Sequence, residues 1–319
     1  MSPILSIIVP VFRAEQYLDT CVQSLLRQDL HPEEYEIILV DDGSEDNSPT
    51  LCDTYAEQYK QIIVIHQSNK GQAAARNTGI RAAKGQYICF VDSDDFVEPE
   101  TYKALLLQAI DNTLDVLQFR IQLLSGNKTK PLRRPHKDTT IYNGEQFVNH
   151  CMNVQCYPVI YIIRRTLLTD HAIYFTEGLS YEDVEWVPRM LYAAKRLMRN
   201  DIMVYNYVMH ANSTTHPTTK EKWQRAIKDN ITVLTHYQEF ITQKKDPVWL
   251  HAMSSNIITA ILTIVAKQFY SERTIYIRQI QDIYPYTLSC KKNFPLTEKI
   301  KTTLARISPN LYCFIRHYI

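Results

Sequence analysis

No charge of either sign dominates this chain of 319 residues: 35 Lys and Arg stand against 34 Asp and Glu, a formal net charge of +1. The strong basic excess expected of a nucleic-acid partner is therefore missing. No apolar run approaches the roughly 20 residues that cross a bilayer. The longest near the C-terminus, Ile257 to Ala266, is interrupted by Thr259 and Thr263. Met1-Ser2-Pro3 leads straight into an apolar strand with neither a basic n-region nor a small-residue cleavage site, so no signal peptide is expected. The seven cysteines are odd in number and form no CxxC pair. They predict a reduced, cytoplasmic interior rather than a disulfide framework or a zinc site. Finally, G-x-G-x-x-G is absent, and the turn after the first strand, Phe12-Arg13-Ala14-Glu15-Gln16, holds no glycine. That argues against a dinucleotide-dependent oxidoreductase.

The composition, 45% hydrophobic and 22% charged, is that of a folded globular protein. The first 125 residues alternate strand and helix. Leu5 to Val11 is a short continuous apolar run rich in β-branched residues, as expected of a strand buried on both faces. A helical stripe follows through Leu18, Cys21, Val22, Leu25 and Leu26. Glu36 to Val40, Ile62 to Ile65, Tyr87 to Val91 and Val116 to Leu123 read as further strands, separated by helices. Ser48-Pro49 reads as an N-cap and first helical residue. Such repeats predict a doubly wound α/β fold with a mostly parallel sheet flanked by helices. Ligands of such sheets bind beyond the carboxyl ends of the strands. Ser125 to Asp138 reads as a basic mobile loop, and the pattern from Lys220 onward is helical, near 221–243 and 247–270.

Two strands end in clustered acids: Asp41-Asp42-Gly43-Ser44, and Asp92-Ser93-Asp94-Asp95. Packed carboxylates raise one another's pKa unless a cation or hydrogen-bond donors hold them. Asp92 and Asp94, two apart, project to one side of an extended backbone and suit a hard divalent ion such as Mg²⁺ or Mn²⁺. The plainer reading, a helix cap or turn, accounts for one acid of each cluster but not for both clusters at one sheet edge.

In order and spacing, Ser6-Ile7-Ile8-Val9-Pro10-Val11-Phe12, Asp41-Asp42-Gly43-Ser44, Asn69-Lys70-Gly71, Ala75-Arg76-Asn77-Thr78-Gly79 and Asp92-Ser93-Asp94-Asp95 resemble the family-2 glycosyltransferase pattern. Phe175-Thr176-Glu177-Gly178 and Glu182-Asp183 extend the match. Arg13 departs from it, standing where the family commonly has asparagine. The resemblance covers residues 1–215 and implies a GT-A fold there; residues 216–319, where it ends, are expected from their own pattern to be a helical C-terminal region that meets acceptor, partner or membrane surface. It implies an inverting transfer of a sugar from a nucleotide-diphosphate donor, a UDP-sugar by preference, to an acceptor hydroxyl in polysaccharide or glycolipid assembly. Pro10, Val11 and Phe12 would form the base pocket, and Asp42 would accept from a uracil N–H. Gly71, Arg76 and Asn77 would line the nucleotide cleft. Asp94 would bind Mn²⁺ or Mg²⁺, and Asp92 the ribose or a metal-bound water. Asp183 would be the general base, with Glu182 as cap or acceptor contact. His210 and His216 are candidates for a further metal or phosphate contact, and Asp95 for a helix cap.

Two alternatives stay open on the residues alone. A sugar-phosphate nucleotidyltransferase would want a glycine-rich loop after strand one, and a non-catalytic GT-A-like binding protein would have kept the fold without the reaction. A basic amphipathic pattern, Ile300, Leu304, Ile307, Leu311, Phe314 and Ile315 beside Lys299, Lys301, Arg306 and Arg316, suits an anionic membrane face as well as packing on the protein itself. The expected location is cytoplasmic, peripheral to the inner face of the membrane.

Overall fold

The computed structural model describes residues 2–126, 128–132, 139–151, 156–210, 219–243, 248–283, 305 and 308–318. In chain order the elements are β1 (Leu5–Val11), α1 (Leu18–Leu26), β2 (Tyr35–Asp41), α2 (Ser48–Gln58), β3 (Ile62–His66), α3 (Gln72–Ala82), β4 (Tyr87–Phe90), β5 (Phe96–Val97), α4 (Tyr102–Asp111), β6 (Val116–Ser125) and β7 (Lys128–Pro131). There follow α5 (Gly144–Cys151), β8 (Tyr161–Arg164), α6 (Arg165–Asp170), α7 (Glu182–Ala193), β9 (Leu197–Val208), α8 (Lys220–Gln243), α9 (Val248–Gln268), α10 (Arg273–Ile283) and α11 (Pro309–Tyr318).

The strands form one sheet in the order β3-β2-β1-β4-β8-β6-β9-β5, with β7 on β6. The first half is the expected parallel unit: β1 pairs with β2 and β4, and β2 with β3, all parallel. Every residue of β1 and β2 is buried, which is why both are mostly apolar, Ser6, Glu36 and Asp41 excepted. The second half is mixed. β8 runs antiparallel between β4 and β6, and β9 lies parallel to β6 but antiparallel to β5. The fold is α/β as expected, though its parallel character is confined to the N-terminal half and the β6–β9 pair.

Two local readings need correction. Ser48 is the first residue of α2 rather than its cap; Asn47 precedes it, and the Ser48 hydroxyl accepts the Ala14 N–H at 2.8 Å. The basic stretch after Ser125 is not a plain loop, because Lys128–Pro131 pairs antiparallel with Gln122–Ser125 through a turn in which Gly126 has φ +55°. Alternating Lys and Thr, all exposed, carry no apolar period to announce a strand. Residues 133–138 lie outside the described residues.

A buried polar knot fixes the turn into β4. Ser6 Oγ donates to Glu36 Oε1 at 2.6 Å and accepts the Gly85 N–H at 2.8 Å, while Glu36 Oε1 also accepts the Lys84 N–H at 2.6 Å. A Cβ placed on Gly85 would lie 2.5 Å from the Ser6 backbone nitrogen and 2.7 Å from the Leu5 carbonyl carbon. Backbone cannot yield as a side-chain tip can. Gly85→Ala is therefore expected to destabilise the protein by about 1–3 kcal/mol, the usual cost of overpacking. A lower urea midpoint with an unchanged m-value checks this; an unchanged midpoint refutes it.

The chain divides into two compact units, residues 1–147 with 155–213, and 148–154 with 214–319. Both acid clusters and α7 belong to the first. In the second, α8, α10 and α11 pack on α9. There Thr263 Oγ1 and Tyr312 Oη share a hydrogen bond of 2.9 Å, and Cys313 Sγ donates to the Leu262 carbonyl at 3.7 Å. Pro309 is the first residue of α11. No helix among the described residues is long and apolar enough to cross a membrane.

Candidate active site

The parallel strands β1, β2 and β4 end together, and the expected site residues gather where they end. Pro10 and Val11, the last residues of β1, are buried. Phe12 follows them at 43% exposure, an open ring at the sheet edge. Arg13 adopts φ +50° and lays its guanidinium 5.1 Å from the Phe12 ring centroid. Its side chain also pairs with Glu45, and its N–H donates to Ser44 Oγ at 3.0 Å. Arginine at this position thus ties the end of β1 to the loop after β2.

Asp42 does not stand free for a base. It is 3% exposed and accepts from Gln67 Nε2 at 2.7 Å, Lys70 N at 3.0 Å and Gly71 N at 2.8 Å. These bonds hold the 67–71 loop against the start of α3, where the positive helix terminus also favours an acid. Both carboxylate oxygens thus engage the protein's own donors. Gly71 sits at φ +90°, and a Cβ added there would meet nothing within 4 Å, so its backbone alone demands glycine. Asn77 is 1% exposed; its amide donates to the Phe175 carbonyl and Glu177 Oε1 and accepts the Phe175 N–H. It tethers the 175–177 segment to α3.

The three acids after β4 have three different surroundings. Asp95 is buried, and accepts from Tyr205 Oη at 2.7 Å and Val208 N at 2.8 Å. Burial, then the neighbouring Asp92 charge, push its pKa up to about 8. It anchors the loop to β9 and caps no helix. Asp92 Oδ1 accepts from Arg76 Nη2 at 2.8 Å and Gln72 Nε2 at 2.9 Å. Asp94 is exposed, and its carboxylate receives no hydrogen bond from another of the described residues. Desolvation and then Asp92 raise its pKa above the ordinary value. His210 lies beside it, its Nε2 3.3 Å from the Asp94 carbonyl and its ring 4.3 Å from that of Tyr17. His216 lies outside the described residues.

No group of three or more His, Cys, Asp or Glu that could hold a metal ion is found among the described residues. An exposed carboxylate without donors from other described residues, beside a second with one oxygen engaged, fits Mg²⁺ or Mn²⁺, which fill out their coordination with water and substrate phosphates. Asp94 would hold the ion, with the remaining oxygen of Asp92 near it.

The second acid pair opens α7. Glu182 is 8% exposed, and its Oε1 accepts from Arg76 Nη1 at 2.9 Å. Burial raises its pKa, and Arg76 opposes the rise. Asp183 is half-buried and accepts the Val184 N–H at 2.7 Å. Burial and then Glu182 push its pKa up to about 7, where a carboxylate both accepts and releases protons near neutral pH. Arg76, expected to face the nucleotide, is instead 3% exposed and joins the two acid pairs. Two residues escaped the sequence reading. Tyr205 receives the Asp92 N–H at 3.1 Å while donating to Asp95, and Gln72 reaches Asp92. No local pattern marks a tyrosine more than 100 residues away as the clamp of an acidic loop.

Comparison with known proteins agrees with the motifs. The family model of glycosyl transferase family 2 matches residues 6–171. An uncharacterized glycosyltransferase of Bacillus subtilis, EpsJ, is 33% identical over 247 residues, 74% of this chain and 71% of its own length. The Escherichia coli uncharacterized glycosyltransferase YibD is 30% identical over 66% of this chain, and the match spans 63% of that relative's length. Among solved structures, Staphylococcus aureus TarS 1–349 in complex with UDP superposes with a TM-score of 0.74 at 19% identity, covering 98% of this chain and 90% of that one. That likeness is one of fold, and it extends through the C-terminal helices. Fold, ordered motifs and family match agree that the chain belongs to glycosyl transferase family 2 and carries its GT-A fold.

Proposed function

We propose that this protein is an inverting glycosyltransferase that moves a sugar from a UDP-sugar to a hydroxyl of a saccharide or lipid-linked saccharide acceptor, in cell-surface polysaccharide assembly. The observation that carries the reading is the division of acids at one sheet edge. Asp92 and Asp94 follow β4, and Asp183, its pKa pushed up to about 7, stands in the first turn of α7 beside Glu182, which Arg76 links to Asp92. Inversion needs this division, because the acceptor attacks from the face opposite the leaving diphosphate. The acceptor oxygen forms the new bond to the anomeric carbon, and its proton passes to Asp183. The bond from that carbon to the diphosphate breaks, and the electron pair leaves with the diphosphate. Asp94 would hold a divalent ion, which when bound would neutralise charge on that leaving group. Phe12 offers its open ring to the base, and Asp42 supports the site through the 67–71 loop.

Support for the donor comes from TarS, which has been solved with UDP and with UDP-GlcNAc. Support for a polymeric acceptor comes from the poly(ribitol-phosphate) beta-glucosyltransferase of Bacillus spizizenii, 36% identical over 38% of this chain. The test is a thermal-shift screen of nucleotide diphosphates and nucleotide sugars with Mn²⁺, followed by release of UDP from the sugar that binds. A ligand that binds only the folded state raises the melting temperature. No uridine nucleotide stabilising the protein, with or without Mn²⁺, would overturn the donor assignment. Binding without UDP release, in the presence of saccharide acceptors, would favour a binding protein that kept the fold.

Peripheral contact with the inner face of the membrane is part of the same proposal. In α11, Tyr312 and Cys313 are buried while Leu311 and Arg316 are exposed. In α10, Ile275 is 60% exposed beside exposed Arg278. Of the residues in the basic amphipathic pattern, Lys299, Ile300, Lys301, Leu304, Arg306 and Ile307 lie outside those described. The protein is expected to float with vesicles containing anionic lipid at low salt and to be released as salt screens the attraction. No recovery with anionic vesicles assigns these helices to packing alone, and equal recovery with neutral vesicles overturns the electrostatic attraction.

A further inference from the structure

Resting on the proposed roles of the two acid pairs, we infer that Arg76 is a positioning residue: it clasps the acid that ends the leaving-group strand to the acid that opens the base-bearing helix, and so sets their spacing. Its two terminal nitrogens serve different carboxylates. Nη2 meets Asp92 Oδ1 at 2.8 Å, and Nη1 meets Glu182 Oε1 at 2.9 Å. These partners lie 16 and 106 residues away in sequence, so one side chain spans two distant segments of the fold. The guanidinium is held from below as well. Its carbon lies 5.4 Å from the Phe175 ring centroid, and Phe175 stacks on Trp186 of α7 at 4.2 Å and 12°. At 3% exposure the group has little surface left for ligand, which separates this role from a direct nucleotide contact.

Chemistry explains why arginine is required. A planar fork can donate along two directions at fixed separation, whereas a lysine ammonium is one point charge on a flexible stem. Lysine can satisfy Asp92 or Glu182 but cannot brace both. Misplacing a catalytic group by about 1 Å costs on the order of 100-fold in rate. The cation also acts on the neighbouring base: Arg76 lowers the Asp183 pKa, while Glu182 raises it.

The test compares Arg76→Met, Arg76→Lys and Glu182→Gln in the full chain by kcat, donor KM and the pH profile of kcat/KM. Arg76→Met is expected to lower kcat roughly 10- to 100-fold and to move the acid limb to higher pH. Arg76→Lys should return the limb toward that of the parent without restoring kcat. Glu182→Gln should lower kcat while moving the limb the opposite way, to lower pH. Full kcat in Arg76→Lys would show that charge suffices and would overturn the clasp, as would an unmoved limb in both Arg76→Met and Glu182→Gln. Should Arg76→Met fail to fold, the lysine and glutamine variants decide alone. Asp183→Asn is the control that separates the two ideas. Parent-like turnover there removes the base assignment itself, whereas its loss alongside a fully active Arg76→Lys removes only the clasp.

Discussion

Asp183→Asn should cost about a hundredfold or more in turnover, the range typical of removing a general base. The substitution keeps the shape of the side chain. An amide oxygen can still accept the Val184 N–H that Asp183 Oδ1 accepts at 2.7 Å, so the start of α7 has no reason to move. What is lost is a group able to take the acceptor's proton. Nucleotide affinity should stay within about twofold, because the residue acts on the acceptor side and the loss falls on the transition state. The parent enzyme should show the same chemistry in its pH profile. With burial and Glu182 pushing the Asp183 pKa up to about 7, kcat/KM should fall about tenfold per unit as pH drops below that value. The limb arises because the protonated carboxyl cannot accept a proton. Unimpaired turnover in the asparagine variant, or a product that retains the donor's anomeric configuration, refutes the assignment. Loss of turnover confined to Glu182→Gln would move the role one residue earlier.

Asp94→Ala is expected to abolish transfer and to weaken nucleotide-diphosphate affinity when Mn²⁺ is present. Of the three acids after β4, Asp94 alone is exposed and receives no hydrogen bond from another described residue, so it is the one available to a cation. Asp95 is committed to Tyr205 and Val208, and one oxygen of Asp92 to Arg76 and Gln72. Because the Asp94 carboxylate ties down no neighbouring segment, its removal should leave the melting temperature of the nucleotide-free protein within a few degrees. Activity and stability therefore separate in this variant, as they would not for Asp95. Parent protein in excess EDTA should behave like the mutant. Full activity in either case means that the diphosphate leaves without help from a divalent ion at this position.

What could be read from the sequence was whatever local physics enforces. β1 was legible because a strand buried on both faces is mostly apolar, and β4 reads the same way. The two residues of β5 and the exposed Lys-Thr-Lys of β7 carry no such signal; partners that lie elsewhere in the chain make them strands. The acid clusters stood out because like charges in a row need an explanation. Which acid does what was not legible. Asp42 and Asp94 look alike on paper, yet one is surrounded by three donors from the 67–71 loop and the other receives none from any other described residue. Likewise Arg76 sits in a motif that suggests a ligand contact. Its actual partner Glu182, 106 residues on, is placed only by the packing of α7.

Tyr205 and Val208 govern when the acidic loop can exist during synthesis. Asp95 reaches Tyr205 across 110 residues, and Phe96 and Val97 find their strand partners only in Asn206 and Tyr205. At translation speeds of about 5–20 residues per second, those residues follow the loop from the ribosome by roughly 5–20 s. During that interval β1 to β4 have all their mutual partners, so half the sheet can form, while the loop that ends it holds Arg76 and Gln72 through Asp92 but lacks the partners of Asp95. A nascent chain halted before Tyr205 should thus bury its parallel strands yet hold no nucleotide diphosphate. Competence for the donor arrives late and all at once, when the last strand of the sheet closes over the loop.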